Sequence, residues 1–272
     1  MQVKIPETEQ VPLEYLRQSI SKYTGIYYSE QKKDILYIRL LQLCLKNNIK
    51  DLSEMVKHLE NGSFDNLIIK IAQAVSTTYT YFYREPEVLN YFKDNILDHF
   101  PLSEKIRIWS AASSSGQEAY TLSILISEKL GIEKAVNNYS ILGTDINPQV
   151  IRQAEAGIYG KECFNEMPEE YKQRYFEPVG MDQYIISAKI KSLCLFRRLN
   201  LNSDNWPFNQ KFHVVFCRNI LYYFEKKLQE EVINNIYRNT ISKGFLITSV
   251  TESIKGFDTD WVTVLPGIHQ KL

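Results

Sequence analysis

Five short segments of this 272-residue chain hold the side chains able to do chemistry together. The first is Trp109-Ser-Ala-Ala-Ser-Ser-Ser-Gly-Gln-Glu118, a run of small residues closed by an acid. Small residues such as Ala111 and Gly116 let a ligand approach the backbone closely. Glu118 stands where a pyrophosphate would want amide donors and no carboxylate, so the segment suits a cationic ammonium, or is a plain strand-to-helix turn. In the second, Gly143-Thr-Asp145-Ile146-Asn147, a carboxylate can accept from both hydroxyls of a ribose. Alternatively, Asp145 or Asn147 caps the next helix. The third and fourth are Leu199-Asn200-Leu201 and Cys217-Arg218-Asn219-Ile-Leu-Tyr-Tyr223. Their asparagines can read an adenine edge or a carboxylate, or serve ordinary turns. Arg218, if buried, needs a partner. The fifth, Thr77-Thr-Tyr-Thr80-Tyr-Phe-Tyr-Arg84-Glu85, carries Thr80 and Arg84 four apart, which project together from a helix. Its aromatics Tyr79, Tyr81, Phe82 and Tyr83 read as core packing.

The elements that must position these segments alternate from about residue 105. Residues 105–109, 139–142, 212–216, 245–250 and 261–265 read as strands. Residues 117–130, 148–156 and 227–239 read as helices, with Pro148 in a first turn. Such alternation predicts a mostly parallel sheet with helices on both faces. Ligands of such sheets bind beyond the strands' carboxyl ends, where strand order reverses. Four of the five segments fall at such ends. Upstream the texture is helical. Residues 14–23 form a helix stopped by Thr24-Gly25, and Ser29 caps a second that runs to Asn47-Asn48. A third runs from Asp51 to Asn61-Gly62, and residues 64–75 make a fourth. Residues 184–191 and 194–198 read as an antiparallel hairpin inserted on the main sheet. The domains expected are 1–76, helical, and 77–272, α/β, with the insertion at 178–199.

Thirty-two Lys and Arg balance thirty-two Asp and Glu. Zero net charge excludes a general nucleic-acid or anionic-membrane binder. No apolar run approaches the ~20 residues of a membrane span, and Met1-Gln-Val-Lys4 does not open a signal sequence, so the cytoplasm is the expected location. Cys44, Cys163, Cys194 and Cys217 form no CxxC, and the four histidines form no HExxH, so no metal site or disulfide framework is expected. A nucleoside with a cationic, amino-acid-like tail and no phosphate cradle fits the five segments. S-adenosylmethionine meets that description better than NAD or ATP, which points to a methyltransferase of unspecified substrate.

The ordered blocks STTYTYFYRE, IRIWSAASSSGQEAYTLS, GTDINPQVIRQAEAGIY, LNL, VVFCRNILYYFEKKLQEEV and SVTESI resemble the chemotaxis-receptor methyltransferase family, CheR. KYTGIYYSEQKKDILYIRL resembles its N-terminal helical domain. The resemblance covers nearly the whole chain. It implies an α/β fold: a Rossmann-like S-adenosylmethionine-dependent methyltransferase sheet, an N-terminal all-helical domain and a small inserted antiparallel β-subdomain. It implies methyl transfer to glutamate carboxylates of chemoreceptor cytoplasmic helices, with S-adenosylhomocysteine as product, by a monomer that in some members docks a receptor tail peptide on the β-subdomain. By the same resemblance Glu118 holds the methionine amino group and Asp145 the ribose. Thr78, Thr80, Arg84, Ala111, Gly116, Ile146, Asn200, Leu201, Arg218 and Asn219 surround the cofactor. Arg84 and Tyr223 match residues of substrate positioning and catalysis.

Several positions depart from the family pattern. Thr78 stands where Asn is usual, Ile241-Ser-Lys-Gly-Phe245 replaces a Pro-Gly-Gly turn, and SVTESI replaces a Gly-His-Ser-Glu-Ser-like segment. The helix after Ser29 is less basic than usual. Lys32, Arg39 and Lys46 still recur every seven residues, within about 40° of one another on a helix. Because Leu36 and Leu43 lie near the same line, they are also readable as the solvated edge of a buried stripe. A different regulatory protein as substrate, or a non-catalytic sensor of S-adenosylmethionine or S-adenosylhomocysteine, remain the competing readings.

Overall fold

A computed structural model describes residues 5–61, 64–101 and 103–272. The start at Met1–Lys4 and the stop at Gly62 lie outside the described residues. Four helices come first: α1 (Glu7–Thr24), α2 (Lys33–Lys46), α3 (Leu52–Glu60) and α4 (Phe64–Val75). α1 starts seven residues before the predicted position, with Glu7 and Glu9 in its first turn, where carboxylates favour the helix dipole. It stops at Gly25, left-handed at φ 77°, whose N–H donates to the Ser21 carbonyl. A Cβ on Gly25 would sit 2.5 Å from Leu228, so glycine also permits close approach to the second domain. Asp51 caps α3 by accepting from the Glu54 N–H. Leu16, Ile20, Leu36, Leu40, Leu52, Ile68 and Ile71 close a core of their own.

The sheet domain follows. It begins with α5 (Pro86–Tyr91), β1 (Ile106–Ser110), α6 (Gln117–Leu130), α7 (Ile132–Asn138), β2 (Tyr139–Asp145) and α8 (Pro148–Ala156). Next come β3 (Ile158–Gly160), α9 (Glu169–Tyr175), β4 (Phe176–Pro178), β5 (Gln183–Ile186), α10 (Ala188–Lys191) and β6 (Cys194–Arg198). The chain finishes with β7 (Phe212–Phe216), α11 (Lys226–Arg238), β8 (Thr240–Ile247), β9 (Val262–Leu265) and β10 (Ile268–Gln270). The main sheet is ordered β6-β2-β1-β7-β8-β10-β9. Its first five strands are parallel, and β10 pairs antiparallel with both β8 and β9. From β1 the order proceeds outward to β2 and β6 on one side and to β7 and β8 on the other. The switch point therefore lies between β1 and β7.

The predicted hairpin is corrected. Residues 194–198 do not pair with 184–191: β6 joins the main sheet parallel to β2, with Ile141 opposite Cys194 and Asp145 opposite Arg198. β5 instead pairs with β3 and β4 in a separate three-stranded antiparallel sheet. The cause is packing. The Phe196 ring lies where a Cβ on Gly143 would be, 2.5 Å away, and meets Tyr120 at 5.4 Å between centroids. Glycine at that position of β2 leaves the room that the Phe196 ring of β6 occupies. The predicted strand 245–250 also shifts, starting at Thr240 and ending at Ile247.

All four cysteines are free thiols, with Cys44 and Cys217 buried. Among the described residues no helix is long and apolar enough to cross a membrane.

Candidate active site

A cleft opens at the carboxyl ends of β1, β2 and β7. It has two chambers, which share Thr77, Ala112, Asp145, Ile220 and Tyr223 as walls. The first is charged and holds Thr80, Arg84, Glu118, Arg218 and Asn219. The second is an apolar slot between Ala111, Ile146, Leu201 and Phe224, with Thr78 and Asn200 at its side. Its far wall comes from the helical domain, whose Thr24 and Ile26 line it. The two domains are sewn together there: Tyr27 N–H donates to the Tyr223 carbonyl at 2.7 Å. Ile26 bridges to Phe224.

The fold thus brings together every site residue named from the sequence except one. Gly116 is not in either wall. It sits at φ 93° before α6, and a Cβ there would meet Ala154 at 2.8 Å and the Tyr159 hydroxyl at 3.1 Å. Its work is close packing of α6 against the neighbouring elements. Asn200 lines the slot, but its amide is engaged with protein: Nδ2 donates to the Tyr23 carbonyl at 2.5 Å and Oδ1 accepts from Asn202 N–H at 3.0 Å. Thr80 and Arg84 share a chamber without the predicted helix, since residues 77–81 are irregular. Phe82 and Tyr83 are buried as expected, whereas Tyr79 is 75% exposed at the mouth.

Asp145 marks the junction of the chambers. Its Oδ2 accepts from Ser114 N–H at 3.1 Å and its Oδ1 from Asn147 N–H at 2.9 Å. Burial pushes its carboxyl up to about 6, against the pull of those backbone donors. The capping alternative falls to its neighbour, since it is the Asn147 side chain that accepts from the N-terminus of α8.

Arg218 is the buried arginine that needed a partner, and it has two. Nη1 lies 2.9 Å from Glu118 Oε2, and Nη2 lies 3.3 Å from Glu85 Oε2 while donating to the Arg84 carbonyl at 2.6 Å. Its side chain is 2% exposed. Glu118 also accepts from Ser110 Oγ at 2.7 Å. Two acids carry no role assigned from the sequence. Glu85 accepts from Asn219 Nδ2 and Ser249 Oγ, each at 3.0 Å. Burial pushes its carboxyl up, but Asn219, Arg218 and Ser249 outweigh that and hold it below the ordinary range. Glu252 accepts from the N–H groups of Asn219 and Leu221 at 2.6 and 2.8 Å, which pins the turn after β7. Burial raises its carboxyl despite these bonds. The signal for Glu85 is present in Arg218 itself, an arginine at a buried strand end that requires carboxylates.

Four non-glycine residues around the cleft have left-handed backbones: Tyr83, Glu85, Ser114 and Asn219, at φ 67°, 59°, 47° and 57°. Such strain persists only where surrounding bonds over-determine it, and it concentrates at working sites. Ser113 Oγ and Arg218 Nε are buried with no hydrogen-bond partner among the described residues. Ser113 lines the charged chamber, where Glu118 and Asp145 are matched by Arg84 and Arg218, and its orphan hydroxyl fits a polar ligand group. The apolar slot beyond Asp145 fits a planar base. No group of three or more His, Cys, Asp or Glu able to hold a metal is present among the described residues.

Comparison with known proteins agrees with this geometry. The family model for the CheR methyltransferase SAM-binding domain matches residues 78–269, and that for the CheR all-alpha domain matches residues 12–75. A chemotaxis protein methyltransferase of Borreliella burgdorferi is 30% identical, over 91% of this chain and 89% of its own length. Chemotaxis protein methyltransferase Cher2 of Pseudomonas putida is 28% identical, over 96% and 98%. That of Vibrio parahaemolyticus is 30% identical, over 91% and 92%. A cleft at the carboxyl ends of the strands, with Glu118 and Asp145 in its walls, in a chain that two family models match over residues 12–75 and 78–269, leads to one conclusion: this chain belongs to the CheR family of S-adenosylmethionine-dependent chemotaxis methyltransferases.

Proposed function

We propose that the chain methylates glutamate side-chain carboxylates on the cytoplasmic helices of a chemoreceptor. The observation that carries this reading is the absence of a free base in the cleft. Among the described residues no histidine lines either chamber. The two carboxylates that line the chambers, Asp145 and Glu118, are both engaged: Asp145 accepts from the Ser114 and Asn147 N–H groups, and Glu118 from Ser110 Oγ and Arg218. An acceptor ionised before it arrives suits such a site, and a solvated glutamate side chain, which titrates at about 4.3, is ionised at neutral pH. An ammonium acceptor would first have to lose a proton.

When bound, S-adenosylmethionine would supply an electrophilic methyl carbon on a sulfonium, which a substrate carboxylate oxygen would take while the C–S electron pair stays on sulfur. No proton moves. Asp145 would accept from the ribose, Ile146 and Leu201 would enclose the base, and Glu118 would take the ammonium. Catalysis then rests on alignment, which can lower a barrier by up to ~7–11 kcal/mol. Arg84 is restrained rather than free to clamp. Its guanidinium lies 5.7 Å from the centre of the Tyr81 ring, and its Nε lies 4.0 Å from Glu85. A tight ion pair with the substrate would stabilise the ground state more than the charge-cancelled transition state. Arg84 therefore orients. Tyr223 lines both chambers, its ring centre lies 4.5 Å from that of Tyr222, and its carbonyl accepts from the Tyr27 N–H, which supports its hydroxyl in the role of guide for the attacking oxygen. Tyr223→Phe is expected to lower kcat by about tenfold to a hundredfold. Calorimetry should show S-adenosylhomocysteine affinity nearly unchanged.

The partner reading is supported by the outward face of α2. Ile35, Ile38 and Leu45 are exposed there, beside exposed Lys32 and Lys46. Arg39 is not part of this surface: its guanidinium turns inward to the Tyr28 hydroxyl, the Val75 carbonyl and Thr77 Oγ1. The face therefore offers apolar contact flanked by two lysines, suited to a helix with acidic flanks. Incubation of a receptor cytoplasmic fragment with methyl-labelled cofactor tests the function. Label released by mild alkali as volatile methanol is expected from a glutamyl ester, and label that alkali leaves on the protein contradicts it.

A further inference from the structure

We infer that Glu85 sets the enzyme's grip on the amino-acid tail of its cofactor, acting through Arg218 on Glu118. This rests on the reading of Glu118 as the ammonium anchor. The geometry is a three-part ion cluster. Arg218 spans from Glu118, 2.9 Å from Nη1, to Glu85, 3.3 Å from Nη2. The arginine side chain is 2% exposed, and the two acids 16% and 19%. Water therefore screens the cluster poorly, and its charge count governs what enters.

Two carboxylates against one guanidinium leave one negative charge. Arg84 offsets it only in part, since its Nε is 4.0 Å from Glu85 and its side chain is 27% exposed. Were Arg218 paired with Glu118 alone, that pair would be neutral and would hold an ammonium weakly. Glu85 prevents this by drawing on the same guanidinium. Glu85 is itself firmly placed, by Asn219 Nδ2, Ser249 Oγ and the Val250 N–H. Its backbone is left-handed at φ 59°, so position and charge are both imposed by the surrounding fold. Glu85 lines neither chamber. It is thus a positioning residue, acting on ligand through Arg218.

The test compares two ligands that differ only in the tail: S-adenosylhomocysteine, which carries the ammonium, and 5′-methylthioadenosine, which lacks the amino-acid end. Glu85→Gln keeps the shape and the acceptor oxygen but removes the charge. It is expected to weaken S-adenosylhomocysteine by about tenfold or more, the loss typical of a charge-assisted contact, and to leave methylthioadenosine affinity within about twofold. Glu118→Gln should show the same selective loss. Equal weakening of both ligands in Glu85→Gln would mean a merely structural role and overturns the inference, as does no change in either. If Glu118→Gln weakens S-adenosylhomocysteine selectively and Glu85→Gln does not, the inference fails while the anchor stands. If Glu118→Gln also spares the ratio, the anchor reading fails with it.

Discussion

Asp145→Ala is expected to weaken S-adenosylhomocysteine binding by about a hundredfold or more, the scale of losing two hydrogen bonds to a carboxylate in a cleft. Fold stability should change far less. The Asp145 carboxyl is pushed by burial from 3.8 up to about 6. A folded-state value above the unfolded one means that folding favours the protonated form. The side chain thus costs nothing in acid below about pH 4 and costs most above about pH 6, on the order of 3 kcal/mol at 1.36 per unit. Alanine relieves that cost but strands the N–H groups of Ser114 and Asn147, at about 1–3 kcal/mol each. The two effects oppose each other, so the urea midpoint near neutral pH should move little while affinity collapses. In the unmodified enzyme, affinity for S-adenosylhomocysteine should rise about tenfold from about pH 5 to about pH 7 as the carboxylate ionises, and level off above. Calorimetry across that range reads it directly. A flat profile, or Asp145→Ala binding as tightly as the parent, contradicts the placement of the ribose.

Arg218→Leu should produce the largest loss of stability at the site. It removes the guanidinium that reaches both Glu118 and Glu85 and leaves two largely buried carboxylates without that cation. Breaking a buried pair by deleting one partner costs about 3–5 kcal/mol. The loss should shrink in acid, where the stranded carboxyls take up protons. Arg218→Lys should not restore the parent. A single ammonium cannot serve Glu118, Glu85 and the Arg84 carbonyl from the two ends of one planar group. Urea unfolding at neutral and acid pH checks both statements, and a loss below about 1 kcal/mol in Arg218→Leu overturns them.

Much of this arrangement is legible in the residues. β7 and α8 occupy the residues read as strand and helix, because buried strands are continuous apolar runs and Pro148 marks a helix start. The cleft is legible because small residues, acids and asparagines fall just after those strands. What escapes the sequence is non-local. β6 looks like half of a hairpin because its true neighbour, β2, lies some fifty residues upstream, and the fit of Phe196 against Gly143 that favours that pairing is non-local. Lys32, Arg39 and Lys46 share an edge by spacing, but helical periodicity cannot show that Arg39 folds inward onto Val75 and Thr77. Glu85 sits beside Arg84 in the chain, which hides that its firmer partners are residues 218, 219 and 249. Gly116 follows the pattern of a ligand-facing glycine, yet its crowding comes from Ala154 and Tyr159.

The central claim is that the cleft passes a methyl group to a carboxylate that needs no base. Tandem mass spectrometry of a receptor cytoplasmic fragment, after incubation with enzyme and S-adenosylmethionine, locates the transferred methyl group. The expected result is a methyl group on glutamate side chains within the fragment's helices, lost on mild alkaline treatment and reduced with the Tyr223→Phe enzyme. A methyl group on lysine, arginine or a chain terminus, or none on the fragment while cofactor binding is intact, contradicts the account.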